Sequence, residues 1–85
     1  MYLVTLSACG NPDHGENPYS NIVNGIAVKK NIAVANSIEE CQMLVKKYIE
    51  DNFLGAGNWT GGKVFENGVM IGRISYNGRY WKIDK

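Results

Sequence analysis

Few residues in this chain could carry out covalent chemistry. The sole histidine, His14, stands beside Asp13 and near Glu16 in a polar stretch, and the only thiols are Cys9 and Cys41. His14, Asp13 and Glu16 could hold a cation loosely, but a zinc site draws on cysteines or further histidines at ordered spacing. The segment therefore reads as a polar turn, and no metal is expected. No serine or cysteine falls into a recognisable pattern with a base. The glycine-rich run from Gly55 to Gly62 lacks the Lys-Ser/Thr ending of a phosphate loop and follows a helix instead of opening one. Neither catalysis nor a cofactor is expected.

The last third of the chain offers binding chemistry instead. Residues 63–85 hold five basic and two acidic groups, a local +3, whereas residues 1–62 hold four basic and six acidic, a local −2. Arg73 and Lys82 flanking Tyr80 would suit a phosphate backbone with stacked bases, or the Arg- and Tyr-rich centre of a protein interface. Over the whole chain nine Lys and Arg meet eight Asp and Glu, which excludes an acidic DNA mimic and a basic condensing protein.

Several elements must position these groups. Eighty-five residues with 45% apolar and 20% charged side chains suit one globular domain, residues 1–85. No run approaches the ~20 apolar residues of a membrane span, and the opening residues lack the pattern of a signal peptide. Cys9 and Cys41 read as reduced, buried thiols, with a bridge between them as the alternative, and the cytoplasm is the expected compartment. Tyr2 to Ala8 reads as a strand, ended by Gly10-Asn11-Pro12-Asp13. Ile22 to Ala35 is β-rich but broken. It is either one long strand bulged near Lys29-Lys30-Asn31 or a short hairpin turning there or at Asn24-Gly25. Ser37 as N-cap with Glu40 three residues on opens a helix of about sixteen residues. Its apolar stripe is Ile38, Cys41, Leu44, Val45, Tyr48, Ile49 and Phe53, and Gly55 and Gly57 end it. The expected order is β-β-α-β-β-β, an α+β domain with a helix on an antiparallel sheet and a C-terminal three-stranded meander.

Asn67-Gly68 and Asn77-Gly78 each sit between β-rich runs and signal hairpins. Taken as two-residue turns, they pair Val64 with Ile71 and Ile74 with Trp81. Alternation then sends Phe65, Met70, Ile74, Tyr76, Trp81 and Ile83 under the helix. The other face collects Val64, Val69, Ile71, Arg73, Ser75, Tyr80 and Lys82. Arg73, Tyr80 and Lys82 are the expected partner-binding residues, supported by Val64, Ile71 and Trp59. Trp59, in the glycine-rich run, either joins that surface or covers the end of the core.

The segments Gly62-Lys63-Val64, Asn67-Gly68-Val69 and Gly78-Arg79-Tyr80-Trp81, with one capped helix before them, resemble the small phage-encoded anti-CRISPR proteins, the type I-F inhibitors in particular. That resemblance implies a stoichiometric inhibitor that binds a host defence protein or ribonucleoprotein complex, with direct nucleic-acid contact available to its basic residues. A nucleic-acid-binding domain, a phage antitoxin-like protein and a homodimer seamed along the open face are the alternatives.

Overall fold

A computed structural model describes residues 1–83 of the chain. Helix α1 (Ile38–Asp51) starts at the expected cap, where the Ser37 hydroxyl accepts the Glu40 N–H at 3.0 Å. It runs for 14 residues and stops short of the glycines. Phe53 takes φ +53° and swings the chain back, so that the Leu54 N–H donates to the Ile49 carbonyl at 3.0 Å. This is the usual left-handed helix stop, made here without the customary glycine. It buries Leu54 and leaves Phe53 81% exposed, so Phe53 leaves the expected apolar stripe.

The helix lies on a five-stranded antiparallel sheet built from β1 (Tyr2–Leu6), β4 (Asn31–Ala35), β5 (Lys63–Glu66), β6 (Val69–Ile74) and β7 (Tyr80–Lys82). The spatial order is β4-β1-β5-β6-β7, and a separate two-stranded ribbon pairs β2 (Ile22–Val23) with β3 (Ile26–Ala27). The fold is thus α+β, as expected. Residues 22–35 form the hairpin at Asn24-Gly25 followed by a distinct strand, in place of one long bulged strand. Both turn residues have positive φ, the backbone that an Asn-Gly pair tolerates best.

Between sheet and helix, Val4, Val64, Cys41, Val45 and Ile74 are fully enclosed. Each such aliphatic side chain contributes roughly 1.5–3 kcal/mol by leaving water. Val64 is therefore core, not surface. Cys41 is a buried thiol whose pKa burial pushes up, and Cys9 is free rather than bridged to it.

Two local irregularities reassign the faces of the meander. The Asn67-Gly68 turn sets Phe65 opposite Met70, but Val64 then faces Gly72, leaving Ile71 as an extra residue in β6. This bulge turns the first half of β6 over relative to the second. In the next connection only Gly78 has positive φ, so Asn77-Gly78 is not a two-residue turn. Tyr76, Asn77 and Gly78 form a three-residue loop closed by the Ser75 N–H on the Arg79 carbonyl at 3.0 Å. Ile74 therefore faces Tyr80, and Arg73 faces Trp81.

Candidate functional site

The face of the sheet turned away from α1 is its most exposed apolar surface. Cross-strand pairing lines up Val34, Leu3, Phe65 and Met70 in one row across β4, β1, β5 and β6. A second row holds Ile32, Thr5, Lys63, Arg73 and Trp81. The contact between its Thr5 and Lys63 is fixed by the Lys63 N–H donating to the Thr5 hydroxyl at 3.0 Å. Strand alternation forces this grouping, because Tyr2, Val4 and Val64 occupy the opposite face. Ile32 is 62%, Val34 54% and Trp81 52% exposed. Among the described residues no helix or strand packs over these rows.

The electrostatics of this face are one-sided. Arg79 lays its guanidinium 4.3 Å above the Trp81 ring, adding a third cation to Lys63 and Arg73. Such an exposed stacking contact is worth about 0.5–1 kcal/mol and holds ring and charge together as one unit. The single acidic residue in the described strands, Glu66, pairs across β1 and β5 with Tyr2 on the helix side, where its charge raises the tyrosine pKa. Lys47 with Asp51 on α1 is the one ion pair among the described residues, and it lies off this face.

Of the expected binding residues, only Arg73 occupies this surface. Tyr80 is turned inward on the helix side, where its ring covers Gly72 and its hydroxyl donates to the Ile71 carbonyl at 3.3 Å. A Cβ on Gly72 would stand 2.5 Å from that ring, so the glycine is what lets Tyr80 lie flat. Lys82 pairs with Gly72 on the same side as Tyr80, at the sheet edge. Ile71 is half-buried against the core and Val64 is fully enclosed within it. Trp59 closes the end of the core: its indole N–H donates to the Ile74 carbonyl at 3.0 Å, and its ring sits 6.0 Å from that of Tyr48. The expected surface thus dissolves, and Trp81, Phe65, Met70, Lys63 and Arg79 take its place. One residue carried part of the missing signal: Gly72, a glycine inside a strand, which marks a bulge.

The segment around His14 is organised differently. The Glu16 carboxylate accepts the backbone N–H groups of Asn11 at 3.0 Å and Asn24 at 2.7 Å, and these two bonds hold its pKa below the ordinary glutamate range. The Asn58 amide reaches the same carboxylate at 3.4 Å while donating to the Cys9 carbonyl at 2.9 Å. Glu16 is thereby a structural acceptor. Among the described residues no group of three His, Cys, Asp or Glu side chains is gathered as a metal site would need, and no helix is long and apolar enough to cross a membrane.

No protein-family model matches this chain, and neither a curated protein nor a solved structure is significantly similar to it.

Proposed function

We propose that this chain is a non-enzymatic binding module that works through the open face of its sheet, acting as a phage-type inhibitor that docks on an acidic part of a host defence complex. One observation carries the reading: four apolar side chains lie in register beside three cations, on a face to which the described strands contribute no carboxylate. An apolar row gives area that does not depend on salt, and flanking cations select the partner and speed its approach. Aromatic and arginine side chains, here Phe65, Trp81, Arg73 and Arg79, are the types enriched at the centres of such interfaces. The resemblance of the C-terminal third to small anti-CRISPR proteins makes a bacterial defence complex the partner to test first.

The test compares tagged wild type with Val34→Asp and with the double charge reversal Lys63→Glu/Arg73→Glu, each incubated with purified defence effector complexes. Both variants should lose the partner while keeping the wild-type melting temperature. Equal retention by all three proteins would remove the open face from the hypothesis. Release by moderate salt alone would instead assign the face to nucleic acid, whose binding is dominated by counterion release. Sedimentation of the isolated protein as a dimer, converted to monomer by Val34→Asp, would assign it to self-association.

A further inference from the structure

Where the second row reaches the end of the sheet, a shallow cleft of about 600 Å³ opens between β1, the start of β4 and the residues before β5. Its polar lining is Thr5, Ser7, Lys30, Asn31, Thr60 and Lys63. The hydrogen bonds already made there leave a surplus of one kind. The Thr5 hydroxyl oxygen accepts the Lys63 N–H at 3.0 Å and donates to no acceptor among the described residues. Ser7 and Thr60 hydroxyls stand 2.9 Å apart and use one proton between them, which leaves the other to donate outward. The Asn31 side-chain oxygen Oδ1 accepts the Ile32 N–H at 2.9 Å, which leaves the NH2 of the same side chain as a donor. Two lysine ammonium groups contribute donors only, and no carboxylate lines the cleft.

We propose that this cleft binds a phosphate group. A lining rich in free donors and positive charge favours a ligand that brings several acceptor oxygens and negative charge, and a phosphate supplies both in a compact tetrahedron. The proposal extends the open-face reading, because Thr5, Ile32 and Lys63 belong to both the cleft and the second row. A phosphate seated here would direct whatever it is esterified to along Lys63 and Arg73 toward the exposed Trp81 ring. Free inorganic phosphate and a phosphodiester of a single strand share this chemistry.

The experiment follows backbone amide chemical shifts of the full chain during titration with inorganic phosphate and, separately, with a short oligothymidylate. Shifts centred on Thr5, Ser7, Thr60 and Lys63 are expected. Saturation by both ligands assigns a site sized for free phosphate, and saturation by the oligonucleotide alone assigns a phosphodiester site. Lys30→Gln and the double variant Ser7→Ala/Thr60→Val should each weaken binding by about tenfold or more, since each removes a charge-assisted or direct donor. Lys29→Gln, one residue outside the lining, should leave it unchanged and so controls for net charge. Absence of shifts at the cleft with either ligand, or equal affinity for wild type and both cleft variants, would overturn the proposal. Val34→Asp separates this inference from the function above. Lost partner docking with intact phosphate binding upholds both, whereas unchanged docking with intact phosphate binding sinks only the open-face reading.

Discussion

The loop around Glu16 and the open face of the sheet both present polar and charged groups to water, and they treat them in opposite ways. In the loop the Glu16 carboxylate and three asparagine amides are committed. Glu16 accepts two backbone N–H groups, Asn11 accepts from Asp13, Asn17 accepts from Tyr19, and Asn58 bonds Gly55, Cys9 and Glu16. On the face, Lys63, Arg73 and Arg79 have no carboxylate partner among the described residues, and large apolar side chains stand in solvent. A group that has met its needs internally contributes to folding, and one that has not is available to a partner. By that criterion Glu16, one of the few acids near the lone histidine, belongs to architecture, whereas the row of Val34, Leu3, Phe65 and Met70 is surface that the fold leaves uncovered.

Breaking the committed side should cost most. Asn58→Ala removes a buried amide that bonds on three sides and should lower unfolding free energy by about 3 kcal/mol in a denaturant titration. A loss below about 1 kcal/mol would mean that water replaces the amide and that the loop is not pinned by it. The next contrast lies within β7. Tyr80→Ala should cost about 2 kcal/mol, because its ring covers Gly72 and packs against the core, while Trp81→Ala should cost less than about 1 kcal/mol. Reversed values would restore the face assignment expected from two-residue turns.

Glu16→Gln sharpens the comparison through pH. The folded pKa of Glu16 is depressed, so its stabilisation is fully present above the ordinary glutamate pKa and is lost as pH falls through the lower folded value. The variant should therefore melt below wild type at neutral pH, with the gap closing on acidification below that range. A gap that stays constant with pH would show that the charge of Glu16 does not matter. The smallest stability effect belongs to the face itself. Val34→Asp should change unfolding free energy by no more than about 0.5 kcal/mol while removing partner binding.

The helix and the strand-forming segments were legible because their signals are local. Ser37 and Glu40 fix the start of α1, and Cys41, Val45 and Ile49 repeat at helical spacing and are all buried. Asn67-Gly68 likewise fixes the pairing of Phe65 with Met70. The assignment of faces was not legible, because strand side chains alternate and one extra residue reverses everything beyond it. Ile71 supplies one such residue and the loop Tyr76-Asn77-Gly78 another. Arg73 was placed outward correctly, since it lies between the two slips. Val64 and Phe65 exchanged roles across the first slip, and Tyr80 and Trp81 across the second. Nothing local distinguishes an Asn-Gly pair that fills a two-residue turn from one that ends a three-residue loop. The arbiter is where each ring finds room, and Gly72 provides that room for Tyr80.

The separation of charge between helix and open face also governs how the molecule travels before it touches anything. Helix α1 carries Glu39, Glu40, Glu50 and Asp51 against Lys46 and Lys47, while Lys63, Arg73 and Arg79 stand on the far side of the sheet. A particle with a net charge of only +1 is thereby an electric dipole whose long-range field turns it in flight. In the field of an anionic surface such a dipole would turn its sheet forward and its helix away, so the same charges that line one face would also bias the angle of approach.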